Sequence, residues 1–85
     1  MTYQVRFTKD ARKQFEKLKD EKLKERIASI LEYLGSYPLA GKMLHGEFKG
    51  CRTYKTFSFR IIYQIFHSEL VIVVLKIQHR RDVYQ

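Results

Sequence analysis

The C-terminal end of the sequence carries the densest group of side chains suited to chemistry. It reads His79-Arg80-Arg81-Asp82-Val83-Tyr84. Guanidinium groups bind phosphate oxygens through paired N–H donors, and an aromatic ring can stack on a base. The run therefore contains the ingredients of a phosphate-and-base site. Short basic ends are common, however, and the signal is weak by itself.

Arg60 is a second candidate, because it lies in a stretch that predicts a central strand. Every second position of that stretch is apolar, at Phe59, Ile61, Tyr63 and Ile65. The alternate row is half apolar and consists of Arg60, Ile62, Gln64 and Phe66. A strand with apolar residues on both rows usually has neighbours on each side. Arg60 is then either held rigidly to meet an anion or, if the strand lies at an edge, exposed to solvent.

The charge of the chain favours an anionic partner. Its 85 residues include 17 Lys and Arg against 9 Asp and Glu, which gives a formal net charge of +8. A basic domain of this size typically binds nucleic acid or an acidic protein that imitates it. The alternative is a soluble domain that simply carries excess lysine.

Composition also indicates the compartment. The length predicts a single domain over residues 1–85. Cys51 is the only cysteine, so no internal disulfide can form and a reducing compartment fits best. The longest aliphatic run, from Leu70 to Leu75, is far shorter than the roughly 20 residues of a membrane span. Because the N-terminus also lacks the apolar core of a secretion signal, we expect a cytoplasmic protein without membrane contact.

The N-terminal half predicts a short strand and two helices. Residues Tyr3 to Phe7 alternate between apolar and polar side chains, as a half-buried strand does. Thr8 and Asp20 are placed as N-caps, since the side-chain oxygen of each can accept a backbone N–H of a first helical turn. Gly35 followed by Pro38 predicts the end of the second helix. We expect an antiparallel helical hairpin, with one bent helix as the alternative.

Three strands are predicted after a glycine-rich loop from Leu39 to Gly50. They span Cys51 to Lys55, Phe59 to Phe66 and Leu70 to Ile77. Their short connections permit only antiparallel hairpins. The predicted fold class is α+β, with an N-terminal strand, a two-helix antiparallel hairpin and a three-stranded antiparallel meander. All strands form one sheet, and the helices cover one of its faces.

The register of the last hairpin decides which side chains share a face. A two-residue turn at His67-Ser68 would place Lys76 under the helices, which is costly for a charged group. A three-residue turn through Glu69 instead aligns Val71, Val73, Leu75 and Ile77 with the apolar row. We favour this second register, which gathers Arg60, Gln64, Lys76 and Gln78 on the opposite face.

Together these motifs resemble the RelE/ParE toxin superfamily. The segment from Phe59 to Ile65 looks like the strand motif YRVIYxI of that family. The run from His79 to Tyr84 resembles its closing motif HRxxVY, and Lys42 to Gly46 is a variant of its KLxG loop. The order of the elements matches as well, so the resemblance covers essentially the whole chain.

The resemblance implies a toxin of a toxin–antitoxin pair, neutralised in a hetero-oligomer by an acidic cognate antitoxin. Most often such a toxin is an endoribonuclease that cuts mRNA in the ribosomal A site. Its active site lies on the concave face of the sheet and is built from basic residues on the strands and residues at the C-terminus. The ParE branch shares the fold but inhibits DNA gyrase by binding, without cleaving RNA.

The implied site residues follow position by position. Arg60 matches the strand arginine, Arg80 the arginine of the closing motif and Tyr84 its tyrosine. Arg52 stands at the first of two basic positions on the preceding strand, and the second holds Tyr54, with Lys55 next to it. Neighbours on a strand face opposite sides. Either the turn Thr56-Phe57-Ser58 swings Lys55 into the site, or Tyr54 takes its place.

Cleavage by the 2′-hydroxyl of the RNA needs a base, an acid and positive charge around the phosphate. The imidazole of His79 is a side chain suited to acid–base work near neutral pH, although it could instead pack at the strand end. Few carboxylates accompany the basic strands, so we expect no metal and no cofactor. The predicted catalytic residues are Arg52, Lys55, Arg60, His79, Arg80 and Tyr84. The predicted RNA contacts are Tyr54, Lys76 and Arg81.

Overall fold

The chain forms a five-stranded sheet with two helices on one face, in a computed structural model that describes residues 2–56 and 58–79. In chain order the elements are β1 (Gln4–Phe7), α1 (Lys9–Glu16), α2 (Glu21–Ser36), β2 (Lys42–Met43), β3 (Arg52–Lys55), β4 (Phe59–Phe66) and β5 (Val71–His79). The sheet order is β1-β5-β4-β3-β2, in which β1 pairs with β5 in parallel and all other pairs are antiparallel. The predicted α+β class is confirmed.

Both predicted N-caps are confirmed, and they define two helices rather than one bent helix. The hydroxyl of Thr8 accepts the N–H of Ala11 at 3.2 Å, and a carboxylate oxygen of Asp20 accepts the N–H of Leu23 at 3.2 Å. Each bond satisfies a donor that the first helical turn leaves without a backbone partner. Neither helix of the described chain has the length and hydrophobicity needed to cross a lipid bilayer.

The core lies between the helices and one face of the sheet. Its buried members are Ala11, Ile27, Leu31, Leu34, Phe59, Ile61, Tyr63, Ile72, Val74 and Ile77. Helix α2 ends at Ser36, one residue beyond the predicted stop at Gly35. A Cβ at Gly35 would lie 2.9 Å from the carbonyl oxygen of Tyr3. The N–H of Tyr3 in turn donates a hydrogen bond of 2.7 Å to the carbonyl oxygen of Gly35. Gly35 is thus required by close contact with the start of the sheet.

The predicted register of the last hairpin is wrong in its first half. The turn holds four residues, His67 to Leu70, and Leu70 adopts the left-handed backbone conformation with φ of 55°. Phe66 therefore pairs with Val71, and the core side chains at the start of β5 are Ile72 and Val74 rather than Val71 and Val73.

A β-bulge then restores the predicted facing in the second half of β5. Tyr63 pairs with Val74 but Ile62 pairs with Lys76, so Leu75 is an extra residue without a partner on β4. Beyond it Ile77 enters the core opposite Ile61. The four-residue turn and the bulge compensate each other.

The segment predicted as a plain loop contributes one more strand. Lys42 and Met43 form β2 at the edge of the sheet, pairing with Thr53 and Arg52. Two short 3-10 turns, Pro38–Ala40 and Gly46–Phe48, flank this strand. The predicted three-stranded meander is thereby extended to four antiparallel strands.

Candidate nucleic-acid interface

The face of the sheet that points away from the helices is strongly basic, and we call it the basic face. Residues paired directly across strands point to the same side. The pairing places on this face the cationic residues Arg6, Lys42, Lys55, Arg60 and Lys76. None of the strand residues that the structure describes is acidic. The face therefore presents positive charge without a carboxylate partner from the strands.

Arg60 lies on the central strand of this face, which has neighbours on both sides, as predicted. It pairs with Lys55 on β3 and with Gln78 on β5. Its Nε donates a hydrogen bond of 2.7 Å to Oε1 of Gln78. The bond fixes the plane of the guanidinium and leaves the two terminal amino groups as a pair of donors. Such a pair matches two oxygens of a phosphate.

Lys55, not Tyr54, shares the face of Arg60. The hairpin between β3 and β4 is tight, because the N–H of Thr56 donates to Phe59 O at 2.8 Å and its hydroxyl accepts the N–H of Phe59 at 3.1 Å. This register puts Lys55 directly opposite Arg60 without any bulge in the pairing. Of the predicted turn residues, Phe57 lies outside the described residues.

Tyr54 and Arg52 lie on the helix-covered face, so the expectation that Tyr54 could replace Lys55 is wrong in its geometry. Tyr54 pairs with Ile61, and its ring centroid lies 6.1 Å from that of Tyr33 on α2. Arg52 pairs with Tyr63, and its Nη1 donates to the carbonyl of Gly41 at 2.8 Å. The structure does not bring either residue together with Arg60. The residues of β3 that do face the site are Thr53 and Lys55.

Arg52 instead supports a buried network around Tyr63. The Tyr63 hydroxyl accepts the N–H of Gly41 at 2.9 Å and donates to the carbonyl of Pro38 at 2.7 Å. Burial raises the pKa of Tyr63 above its ordinary 10.0, and the Gly41 N–H and the Arg52 charge partly offset this. A Cβ at Gly41 would lie 2.6 Å from the Tyr63 oxygen. The network anchors the turn that leads into β2.

Lys76 lies beside an aromatic ring that the sequence did not single out. Its Nζ is 5.9 Å from the centroid of Phe48, in the turn Gly46–Phe48. Lys76 pairs with Ile62 on β4, which is fully buried. Ile62 pairs in turn with Thr53 on β3, which is 4% exposed. The Thr53 hydroxyl finds no hydrogen-bond partner among the described residues. The middle of the basic face is thus partly covered, and Lys76 lies directly beside this covered part.

His79 lies on the other side of the sheet from Arg60. It pairs with Phe59, which belongs to the core beneath the helices. It lines a cavity of about 320 Å³ between the tip of the helical hairpin and the end of β5, together with Gln14 and Lys17. The pairing therefore favours the packing alternative over a base beside Arg60. The predicted site residues Arg80, Arg81 and Tyr84 lie outside the described residues.

The sequence did not predict several residues of the basic face. Arg6 and Lys42 come from strands that are distant along the chain, and only the sheet order reveals that they share a surface. Gln78 was expected on this face, but nothing in the sequence indicated its bond to Arg60. The lysine of the loop motif was a usable signal for Lys42.

Comparisons with known proteins agree with this architecture. The profile of the family described as ParE toxin of type II toxin–antitoxin system matches residues 5–84. Toxin RelG of Mycobacterium tuberculosis is 33% identical over 86 residues, which is 100% of this chain and 99% of RelG. A putative RelE-like toxin of Escherichia coli is 34% identical, over 99% of this chain and 92% of that protein.

Solved structures show the same fold. A chain of the RelBE2 toxin–antitoxin complex of M. tuberculosis superimposes with a TM-score of 0.86 at 29% identity, covering 94% of this chain and 100% of that chain. A chain of the intact E. coli RelBE complex gives 0.77 at 26%, covering 89% and 94%. With a profile match over nearly its full length and relatives above 30% identity, the chain belongs to the RelE/ParE superfamily of toxins from type II toxin–antitoxin systems.

Proposed function

We propose that this toxin is a metal-independent endoribonuclease that cleaves translated mRNA, with the basic face as its RNA-binding surface. One observation carries the proposal: Gln78 holds Arg60 on the central strand of the face, with Lys55 directly opposite. In the cleavage step the 2′-hydroxyl gives its proton to solvent, its oxygen bonds to the neighbouring phosphorus and the P–O5′ bond breaks. Negative charge builds on the phosphate oxygens during this step. Preorganised cations stabilise that charge, by roughly 3–4 kcal/mol for a well-placed donor.

The proposal assigns a role to each part of the face. Arg60 grips two oxygens of the scissile phosphate, and Lys55 contributes charge from the facing strand. Lys76, beside Phe48, contacts a neighbouring phosphate. From the resemblance to the family's closing motif, Arg80 adds charge at the phosphate, and Tyr84 stacks on a base or protonates the leaving 5′-oxygen. The proposal routes no step through a metal, because the strands that the structure describes carry no carboxylate that could hold one.

Primer-extension mapping of a translated mRNA tests this proposal. The parent toxin should produce cuts in phase with the codons. Arg60→Ala should lower cleavage by on the order of 100-fold, as the loss of a preorganised donor does. Arg60→Lys should recover only part of the activity, because an ammonium keeps the charge but loses the planar two-pronged grip.

Arg26 provides the matched control, since it is an exposed arginine on α2. Arg26→Ala should cut like the parent. Equal and full cleavage by both alanine variants would contradict the proposal. If circular dichroism shows that Arg60→Ala is unfolded, its inactivity says nothing about phosphate binding. The cleavage activity of Arg60→Lys then tests the role of Arg60.

The family match supports a second candidate, inhibition of DNA gyrase. The matching profile is described as ParE toxin, and it covers residues 5–84. In that case the parent would cut no RNA, and broken DNA would accumulate on gyrase. The two candidate functions can therefore be distinguished with the parent protein, without any variant.

We further propose that an acidic antitoxin neutralises the toxin by covering an exposed apolar patch next to β2. The patch consists of Tyr33, Tyr37, Leu39 and Met43, which are 46–61% exposed. The +8 charge favours an acidic partner, and chains of similar fold were solved as toxin–antitoxin complexes. Leu39→Lys adds positive charge, so weaker binding of the antitoxin would report a lost apolar contact. Glu25→Lys, also exposed, is the control and should not weaken binding.

A further inference from the structure

The second half of β5 extends beyond its neighbour β1. Strand β1 ends at Phe7, which pairs with Val74. Residues 76–79 of β5 pair with β4 on one side, and on the other side no strand lies next to residues 75–79 in the described chain. The backbone groups on that side need other partners, because an unpaired group at a part-buried edge is unfavourable.

Helix α1 and its N-cap residue supply these partners through two polar side chains. The Thr8 hydroxyl donates to the carbonyl of Leu75 at 3.1 Å, and Oε1 of Gln14 accepts the N–H of Ile77 at 2.8 Å. Both bonds are part-buried and join residues more than 60 positions apart. They enclose Lys76, the residue between the two backbone groups.

The bulge at Leu75 decides which way Lys76 points. Val74 faces the helices, so strict alternation would place Lys76 beneath the helices and Ile77 on the basic face. The extra residue reverses this order, and Lys76 instead lies opposite Ile62 on the basic face. The bonds from Thr8 and Gln14 hold the backbone on either side of Lys76 in this reversed phase. Two side chains of the helical layer thus fix the direction of a cationic side chain on the opposite face of the sheet.

We infer that Gln14 is a positioning residue that holds Lys76 in contact with an RNA phosphate. The inference rests on the proposed function, since it takes the basic face to be the RNA surface. Gln14 is uncharged and lies on the helix side, so it does not touch the RNA itself. Its removal should nevertheless cost one phosphate contact.

The salt dependence of RNA binding measures that contact. For single strands, the slope of log affinity against log salt changes by about 0.7 for each phosphate neutralised. The probe is a short oligoribonucleotide with 2′-O-methyl riboses, which cannot be cleaved by 2′-attack. We expect Gln14→Leu, a neutral substitution, to make the slope shallower by about 0.7, as Lys76→Ala should. The double variant should show no further change.

Controls separate positioning from general destabilisation. Ile30→Ala removes an uncharged, partly buried side chain on α2 and should keep the parent slope, since the bonds from Thr8 and Gln14 to β5 remain. Gln14→Glu retains the acceptor for Ile77 and should also keep it. A parent-like slope for Gln14→Leu would overturn the inference while the proposed function stands. A parent that binds no oligonucleotide would overturn both.

Discussion

Replacing Tyr63 by phenylalanine removes one oxygen from a buried position between the sheet and the turn before β2. The Tyr63 side chain is fully buried, and its hydroxyl is bonded on both sides, to Gly41 N–H and to the Pro38 carbonyl. Gly41 is itself buried, so its N–H loses the only acceptor that the described residues offer. Leaving a buried donor unsatisfied costs about 1–3 kcal/mol. Pro38 is only half-buried, and its carbonyl can turn to water at a smaller cost.

We therefore expect Tyr63→Phe to lower the free energy of unfolding by about 2–3 kcal/mol. For a domain of this size, each kcal/mol corresponds to roughly 4–8 °C in melting temperature. Urea denaturation followed by far-UV circular dichroism measures the difference. Tyr37→Phe is the matched control, because Tyr37 is 60% exposed and should change stability by less than about 0.5 kcal/mol. A cost for Tyr63→Phe no larger than that of the control would refute the reasoning.

Three further predictions concern the same turn, the alkaline limit of stability and the third strand. Gly41→Ala should destabilise by more than about 2 kcal/mol in the same urea assay, because the new Cβ would lie 2.6 Å from the Tyr63 oxygen. Because the pKa of Tyr63 is raised in the folded protein, the phenol ionises above pH 10.0 in the unfolded chain first, and the free energy of unfolding should fall as the pH rises further. Urea denaturation at rising pH should show a smaller fall in this free energy for Tyr63→Phe. Lys55→Ala should lower mRNA cleavage by about 10- to 100-fold, whereas Tyr54→Phe, on the helix side, should cleave like the parent when both are assayed on ribosomes.

The sequence predicted those features that depend on neighbouring residues. The caps at Thr8 and Asp20 need only a side-chain oxygen and an N–H three residues later, so a local pattern is sufficient. The central place of β4 followed from apolar side chains on both of its rows. The strand order beyond the hairpins did not follow, because the parallel pairing of β1 with β5 joins opposite ends of the chain.

The register of β5 shows why other features could not be predicted. The four-residue turn places Leu70 in the left-handed region, which a bulky residue rarely adopts, so the pattern gave no reason to extend the turn. The backbone around the bulge at Leu75 is bonded by the side chains of Thr8 and Gln14, which no local pattern connects to β5. Because the two deviations compensate, the facing of Lys76 and Gln78 was predicted correctly from a register that was itself wrong in its first half.

The hairpin between β3 and β4 likewise decides whether Lys55 faces the site. Counting along β3 from the family's basic positions leads to Arg52 and Tyr54, but the tight turn at Thr56 shifts the facing residues to Thr53 and Lys55. Which residue of a strand faces the site is thus set by its partner strand and not by its position in a motif.

The pairing of Lys55 with Arg60 has a cost that the fold itself does not recover. Like charges directly opposite each other on a sheet are destabilising, and no strand residue among those described offers a carboxylate to separate them. Gln78 holds Arg60 by a neutral amide oxygen, which orients the guanidinium without cancelling its charge. An anion placed between the two cations would offset their repulsion by attracting both. Under the proposed function a phosphate of RNA would meet this condition, and a carboxylate of the proposed acidic antitoxin would meet it as well.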